Sequence, residues 1–589
     1  MKNTLYYGDN LEVLRKYIRD ETVDLCYIDP PFNSKRNYNQ IYNNIGNEDL
    51  AQAQAFIDTW VWDEQANDGF TEIMANDRGR FTPRTVELIK GLDAVLTKGS
   101  LLAYLVSMTL RIVEIYRVLK DTGSFYLHCD PTASHYLKLV ADAVFVAQGG
   151  EYQNEIIWRR TGSHNKLGRY GPIHDVIFFY TKGKKFTWNK PKRPYMKGHV
   201  AEHFVKDEKG YRTNYYGNVL TGSGTRGGES GTPWKGFNPT AKGRHWAIPG
   251  ALIEDLEEEG EDFTGMTQHQ KLDRLYDLGH ITIVEGEAWP MYQRYIKPTD
   301  GQVLSDIWAF QPYTSGTVFN SPLGIDEDVR WLSTKHQERL GYPTQKPESL
   351  LQRIIAASSN EGDVVLDAYC GCGTTITVAE RLKRQWIGVD ITYQSISLIL
   401  RRLEARHTKQ VLDNITLNGI PQDMASARAL ALKQDDRLRK EFEKWAVLTY
   451  TNNRAVINDK KGGDKGIDGT AYFLTGKADN AKVVFQVKSG NVGRGDVSKL
   501  NNDRMREKAE LAVFITLLPA TQGMKDEATA SGFYEHKMMG RNYPRILIVT
   551  IPEIVEQNKR LDIPMSLEVL KKARAAAEAI QPELFGDDA

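Results

Sequence analysis

The stretch DVVLDAYCGCGTT at residues 363–375 decides the fold of this chain. It begins with an apolar run that ends at Asp367, which is typical of a buried strand, and passes through two closely spaced glycines into a helical pattern from Thr374. A second strand pattern, 386–389, ends at another acid, Asp390. A strand, glycine loop, helix, strand and acid in this order predict an α/β fold with a parallel sheet.

The glycine loop is a candidate ligand site. Gly371 and Gly373 allow the backbone to approach a ligand closely. Asp390 lies 23 residues after Asp367, and an acid at the end of that strand can accept hydrogen bonds from ribose hydroxyls. The pattern therefore indicates a ligand that contains a nucleoside. It does not indicate a dinucleotide in preference to other ligands of this kind.

A second candidate site lies near the start of the chain. The strand pattern 23–28 ends in Asp29-Pro30-Pro31-Phe32. Both prolines have a fixed φ, and a residue before proline is extended, so this corner is stiff. The Asp29 carboxylate and the Pro30 carbonyl can accept both N–H bonds of a nucleobase amine, while Phe32 stacks on a base that has left the duplex. The alternative interpretation is a rigid loop after a strand.

Length and composition restrict the class of protein. The chain has 589 residues, 41% of them hydrophobic and 26% charged, which is ordinary for several globular domains. No apolar run approaches the roughly 18 residues that span a bilayer, and the first residues show no secretory signal. Four cysteines cannot form a disulfide framework in a chain of this length, so we expect a cytoplasmic protein.

The zero net charge conceals a local asymmetry. Residues 155–250 carry 18 Lys and Arg against 6 Asp and Glu, whereas residues 251–300 carry 4 against 12. The basic stretch suits a phosphate backbone, and a solvated basic surface is the alternative. We expect five regions: a first catalytic part, an insert, a cofactor-binding part, a second α/β module and a tail, which occupy 1–150, 151–335, 336–420, 421–565 and 566–589.

The two candidate sites, together with Thr344-Gln345-Lys346-Pro347 and Gly8-Asp9-Asn10, resemble the DNA amino-methyltransferases that modify adenine N6 or cytosine N4. The catalytic motif precedes the glycine motif, as in the beta class. The resemblance implies a Rossmann-like fold, S-adenosylmethionine as cofactor, double-stranded DNA as substrate and a target-recognition region in the insert. The implied cofactor-binding residues are Asp9, Thr344, Lys346, Asp367, Tyr369, Gly371, Gly373, Thr374 and Asp390.

The resemblance also bears on the target base. The family motif often has Phe and Ser where this chain has Tyr369 and Cys372, but both glycines and both acids remain. Asp at the first position of Asp29-Pro30-Pro31-Phe32 is more typical of adenine-N6 enzymes, and Ser of cytosine-N4 enzymes. The implied mechanism is direct attack of the amine of a flipped base on the sulfonium methyl group.

The C-terminal module contains a third candidate site. Gln486 and Lys488 face the same side of a predicted strand, and Asp468 lies at the preceding turn, where it can bind a divalent metal. A strand with a solvent-facing lysine is the alternative. Residues 441–555 resemble the PD-(D/E)xK nucleases, in their methylation-linked restriction branch. That resemblance implies Mg²⁺ held by Asp468, Gln486 and the helical Glu443, although most members have an acid in place of Gln486.

Three functions are compatible with these patterns. The chain is a fused modification and restriction enzyme, a methyltransferase whose C-terminal module only binds DNA or a partner, or a nuclease for modified DNA with a vestigial methyltransferase half. The absence of a G-x-x-x-x-G-K-[ST] loop disfavours an ATP-driven translocating enzyme. A homodimer is compatible with the sequence. Gln581, Leu584 and Phe585 in the tail resemble a peptide that docks on the replication sliding clamp, with a frayed end as the alternative.

Overall fold

A computed structural model describes most of the chain. The described residues are 2–31, 60–162, 168, 170–208, 210–213, 220–283, 285–286, 289–293, 295–297, 300–333, 336–340, 342, 344–407, 410–421, 424–431, 436–458, 466–475, 480–537, 539–563 and 565. Within these ranges, no helix has the length and apolar character needed to cross a membrane.

The described strands are β1 Thr4–Tyr7, β2 Val23–Ile28, β3 Leu119–Cys129, β4 Glu151–Arg159, β5 His174–Thr181, β6 Lys192–Arg193, β7 Phe204–Asp207, β8 Gly210–Thr213, β9 Thr221–Ser223, β10 Arg244–Trp246, β11 Ile281–Thr282, β12 Met291–Tyr292, β13 Gln302–Val303, β14 Ile307–Trp308, β15 Val364–Asp367, β16 Gln385–Asp390, β17 Thr416–Asn418, β18 Val456–Ile457, β19 Gly469–Leu474, β20 Asn480–Lys488, β21 Leu511–Thr516, β22 Phe533–His536, β23 Arg541–Pro544 and β24 Ile546–Thr550.

The described α-helices are α1 Asn10–Tyr17, α2 Glu64–Ala75, α3 Pro83–Leu96, α4 Ser100–Val118, α5 Ser134–Val144, α6 Lys197–His203, α7 Gly250–Glu258, α8 Gln268–Asp277, α9 Glu348–Ser358, α10 Thr374–Arg381, α11 Tyr393–Arg406, α12 Gln410–Asp413, α13 Met424–Ala431, α14 Asp436–Tyr450, α15 Arg494–Arg506, α16 Gln522–Ala530 and α17 Ile551–Val555.

The contacts divide the chain into two compact units. The first comprises residues 1–189, 306–309 and 329–589, and the second comprises 190–305 and 310–328. The second unit contains short two-stranded sheets, such as β9 with β10, and a small core that includes Trp246, Phe263 and Leu272. The predicted loop-rich insert therefore corresponds to a unit with its own core.

A nine-stranded sheet dominates the first unit. Its strand order is β14-β4-β5-β3-β2-β15-β16-β1-β17, and the strands from β3 to β17 in this order are mutually parallel. β5 runs antiparallel to both β3 and β4. The expected α/β class and the strands predicted on both sides of the glycine loop are confirmed.

The predicted insert, 151–335, is larger than the separate unit. Its first strands, β4 and β5, are part of the nine-stranded sheet, and the second unit begins at residue 190. The composition changes near residue 150, but Val176–Tyr180 is apolar because β5 lies between two neighbouring strands of the sheet. Composition alone does not reveal which sheet a strand joins.

A five-stranded sheet, in the order β18-β19-β20-β21-β24, forms the C-terminal part of the first unit. Alternate residues of β20 face opposite sides. Phe485 and Val487 belong to a core that includes Phe442 and Trp445 of α14, whereas Val484 packs with Val497 of α15. Helices therefore cover both faces of this sheet, and the domain has the α/β class that the PD-(D/E)xK resemblance implies.

Candidate functional site

Four neighbouring parallel strands of the large sheet carry the predicted site residues at their carboxyl ends. β2 is followed by Asp29, β15 ends at Asp367, β16 ends at Asp390, and β1 is followed by Gly8 and Asp9. Ligands of open α/β sheets bind outside these ends, where the order of connection reverses. The fold therefore brings together motifs that lie more than 300 residues apart in the sequence.

Lys346 joins the front motif to the glycine loop. Its ammonium group forms an ion pair with Asp29, and the two side chains are only 11% and 15% exposed. The carbonyl of Lys346 accepts a hydrogen bond from the Thr374 hydroxyl at 3.3 Å. Pro30 is buried, and Phe32 lies outside the described residues.

Both glycines of the loop have a positive φ, and Gly373 is also tightly packed. Gly371 has φ of +47° and donates its backbone N–H to the Asp390 carboxylate at 2.9 Å. Gly373 has φ of +74°, and a Cβ on it would lie 2.6 Å from Ile399 of α11. Both positions favour glycine through their backbone conformation, and Gly373 also permits the close contact with α11.

The two acids of the glycine motif are buried. Asp367 accepts the backbone N–H of Tyr369 at 3.0 Å, and Asp390 accepts the N–H and the hydroxyl of Thr392 at 2.9 and 3.0 Å. Burial raises the pKa of Asp367 to about 7 and the pKa of Asp390 to about 6, although these hydrogen bonds partly oppose the rise. Both acids therefore titrate close to neutral pH.

A cavity of about 180 Å³ connects these groups. Ten of the predicted residues line it: Asp9, Asp29, Pro31, Thr344, Lys346, Asp367, Tyr369, Gly371, Thr374 and Asp390. Pro30 and Gly373 are not part of the lining. The front motif and the glycine loop thus open onto one site.

Sequence reasoning missed Arg111. This residue of α4 lines the cavity, forms an ion pair with Asp9 at 2.9 Å and donates to the Asn10 side chain at 2.6 Å. Asp9 also caps α1 by accepting the N–H groups of Leu11 and Glu12 at 2.9 and 3.2 Å. An arginine within the apolar pattern of 101–119 was the available signal, because a buried arginine requires a partner.

A buried hydrogen-bonded chain behind the cavity was also missed. Tyr27, which lines the cavity, lies 2.9 Å from His128 Nδ1, and His128 Nε2 lies 3.2 Å from Asp175. Burial alone raises the pKa of Asp175, but His128 and Arg160, the latter at 2.9 Å, lower it below its usual value. His128 therefore has a hydrogen-bonding partner at each ring nitrogen, Tyr27 at Nδ1 and Asp175 at Nε2. These hydrogen bonds hold Tyr27 in place in the wall of the cavity.

In the C-terminal candidate site, Asp468 and Gln486 both form hydrogen bonds with the nearby backbone. Asp468 accepts the backbone N–H of Val487 at 2.7 Å, and the Gln486 amide donates to the Gly466 carbonyl at 2.5 Å. Gln486 is buried and Lys488 is exposed at the end of β20. The described residues contain no group of three or more His, Cys, Asp or Glu side chains that could hold a metal. Glu443 and Asp468 are therefore not members of such a group.

The sequence matches the models of two known protein families. Residues 23–401 match a family model described as DNA methylase, and this match covers more than half of the chain. The chain belongs to this DNA methylase family. Residues 438–538 match a second model, described as restriction endonuclease, so the methylase domain is followed by a domain of nuclease type.

Curated relatives of the methylase domain match parts of the chain. The type II methyltransferase M.EcaI of Enterobacter cloacae is 28% identical over 314 residues, which are 53% of this chain and 59% of that protein. The DNA adenine methyltransferase YhdJ of Escherichia coli K12 is 44% identical over 98 residues, or 16% of this chain and 31% of that protein. The chain thus spans less than two thirds of the length of these relatives.

Solved structures similar to the methylase domain include M1.HpyAVI in complex with SAM and the cytosine-N4-specific PvuII DNA methyltransferase. The first is 12% identical with a TM-score of 0.28, covering 68% of this chain and 98% of that one. The second is 10% identical with a TM-score of 0.31, covering 71% of this chain and 95% of that one.

The lining of the methylase cavity suits S-adenosylmethionine. The cofactor supplies an electrophilic methyl group on a positively charged sulfur, and the cavity is lined by four carboxylates, which belong to Asp9, Asp29, Asp367 and Asp390. Carboxylates accept ribose hydroxyls, and the cation of Lys346 or Arg111 suits the carboxylate of the methionine portion. Gly371 leaves open the space that a Cβ would occupy, 3.2 Å from the Tyr342 hydroxyl.

Proposed function

We propose that the methylase domain transfers a methyl group from S-adenosylmethionine to adenine N6 in double-stranded DNA, and that the C-terminal domain cuts DNA with Mg²⁺. The observation that carries the first part is the shared cavity, which places the Asp29 carboxylate together with the Gly371 loop. A base amine and a methyl donor bound at these two places would meet in one cavity.

The contacts of Asp29 support a direct transfer. Lys346 pairs with one carboxylate oxygen of Asp29, which leaves the other oxygen able to accept an N–H of the target amine. This hydrogen bond orients the nitrogen lone pair toward the methyl group, so the protein contributes by positioning and electrostatics. In this proposal the Asp29 carboxylate also accepts the proton that the amine releases.

Two observations support adenine as the target. Asp29 occupies the motif position at which the resemblance associates Asp with adenine-N6 enzymes, and the relative YhdJ is described as a DNA adenine methyltransferase. Cytosine N4 is the alternative, since its amine offers the same two N–H groups. Nucleoside analysis by mass spectrometry after incubation with plasmid and labelled cofactor distinguishes the two products.

Asp29→Asn tests the proposed site. The variant retains the shape of the side chain but loses the charged acceptor, so we expect methyl transfer to fall by at least about 100-fold. Glu12→Gln is the matched control, because Glu12 is exposed on α1 and does not line the cavity. Equal activity of Asp29→Asn and wild type would refute the proposed role of Asp29.

The nuclease half of the proposal is tested without the methyl donor. Incubation of the full chain with unmethylated plasmid and Mg²⁺ should produce cuts, and Lys488→Ala should abolish them. Lys525→Ala, on the exposed surface of α16, serves as the matched control. DNA binding without cutting would favour the second function, in which this domain only binds, and for which the neutral Gln486 is the supporting observation.

The remaining expectations stay predictions. The basic insert is proposed as the DNA-recognition region, and the cytoplasmic location and the homodimer are proposed on sequence grounds alone. The clamp-like tail with Gln581, Leu584 and Phe585 lies outside the described residues. Long-read sequencing of DNA from cells that express the chain would give the modified base and its sequence context together.

A further inference from the structure

The C-terminal site contains a buried carboxylate that the sequence motif does not include. Asp503 lies on α15 and is only 3% exposed. Its Oδ2 atom has no hydrogen-bond partner in the part of the chain that the structure describes. Oδ1 forms an ion pair with Arg506. A buried carboxylate oxygen without a partner is costly, because it has lost its water and gained nothing in return.

The unpartnered oxygen points toward the predicted nuclease motif. A Cβ built on Gly466 would lie 3.5 Å from Asp503 Oδ2 and 2.9 Å from Gln486 Nε2. Gly466 is two residues before Asp468, and its carbonyl accepts the Gln486 amide at 2.5 Å. Asp503 Oδ2 and the Gln486 amide therefore both lie beside Gly466, two residues from Asp468.

The fold explains this placement. α15 packs on the face of the sheet that carries Val484 and Gln486, with Val497 and Leu500 in the same core as Val484. Asp503 follows Leu500 by three residues and so faces the sheet, one helical turn further along. The motif face of β20 is thus covered by a helix whose next inward residue is an acid.

We propose that Asp503 is a metal ligand of the nuclease site and supplies the negative charge that Gln486 lacks. Divalent cations such as Mg²⁺ bind oxygen ligands, and sites of this kind hold the metal with one or two carboxylates together with water. Asp468 and Asp503 provide two carboxylates. The Gln486 amide donates to the Gly466 carbonyl and adds no charge of its own. This inference rests on the proposed nuclease function.

Metal binding by the full chain, measured by calorimetry with Mn²⁺ alone, tests the role of Asp503 without DNA. Asp503→Asn keeps the volume but removes the charge, and we expect its Mn²⁺ affinity to fall by at least about tenfold. The matched control is Asp526→Asn, an exposed acid on α16. Asp503→Asn combined with Gln486→Glu should recover the affinity, because the second change returns an acid to the motif.

A second measurement needs no variant. Fe²⁺ bound in place of Mg²⁺, with ascorbate and peroxide, cleaves the backbone next to the metal, and we expect fragments that end near 466–468, near 486 and near 503. Cleavage at the first two places but not near 503, or wild-type Mn²⁺ affinity in a folded Asp503→Asn, would overturn the inference. A wild-type protein that binds Mn²⁺ but never cuts DNA would overturn the nuclease proposal and leave the metal site standing.

Discussion

The Glu441 carboxylate on α14 accepts the backbone N–H of Tyr393, the first residue of α11, at 2.8 Å. Glu441 is only 8% exposed and also forms an ion pair with Lys444 at 3.0 Å. Tyr393 directly follows Thr392, which donates to Asp390. A helix of the nuclease-type domain is therefore linked, through two short hydrogen-bonded steps, to an acid of the methylase cavity.

Glu441→Ala should weaken both the fold and cofactor binding. The change leaves the Tyr393 N–H without its acceptor, and we expect the free energy of unfolding to fall by about 1–3 kcal/mol. Affinity for S-adenosylmethionine should fall several-fold, because the segment that holds Asp390 loses an anchor. Urea denaturation and calorimetry measure the two effects, with exposed Glu556→Ala as control. Unchanged cofactor affinity in a destabilised variant would show that the link is structural only.

The raised pKa values predict a specific dependence of stability on pH. In the native protein, Asp367 keeps its proton until the pH reaches its pKa of about 7. In the unfolded chain, it loses the proton near the ordinary pKa of 3.8. Between these values the native state binds more protons, so the contribution of Asp367 to stability falls as pH rises from about 4 to 7 and is constant above. Asp390, with a pKa of about 6, acts in the same direction.

Asp367→Asn isolates this effect. The variant cannot ionise, so its free energy of unfolding should fall less steeply than that of wild type between pH 5 and 7, and the two curves should run parallel above pH 8. Urea denaturation at several pH values gives the comparison. Parallel curves throughout the range would contradict the raised pKa of Asp367.

Arg402 should contribute more to stability than its neighbour Arg406. Arg402 is buried, binds Glu348 at 2.7 Å, and donates to the Cys372 carbonyl and the Thr374 hydroxyl at 3.1 Å. Arg402→Met removes the buried partner of a buried carboxylate, which should cost about 3 kcal/mol. Arg406→Met, whose side chain is 41% exposed, should cost less than about 1 kcal/mol. Thermal unfolding of both variants checks the order, and equal losses would contradict it.

Gly373→Ala should destabilise the methylase domain. The new Cβ would lie 2.6 Å from Ile399, at a φ of +74° that alanine rarely adopts, so we expect a loss of about 1–3 kcal/mol. Gly91→Ala is the matched control, because a Cβ there meets no atom within 4 Å and Gly91 lies inside α3. That control should be neutral or more stable by up to about 1 kcal/mol. Similar losses in both variants would refute the steric explanation.

Much of the methylase domain was predictable because its elements have strong local patterns. The strand pattern that ends at Asp367 is β15, and the helical pattern from Thr374 is α10, as predicted. The strand patterns 23–28 and 386–389 are β2 and β16. The separate unit begins at residue 190 rather than near 151, because β5 pairs with β3 and β4 pairs with β5 in the large sheet, which no local pattern shows.

The sequence by itself determined the α/β class, the strand–glycine–helix unit, the proline-stiffened corner at Asp29 and the acids at strand ends, since these depend on neighbouring residues. The tertiary structure alone decided that Asp29 meets Lys346, that Arg111 holds Asp9, and that Asp503 and Gln486 both lie next to Gly466. These contacts join residues far apart along the chain or on different elements. Their formation depends on strand order and helix packing, which spacing along the chain does not encode.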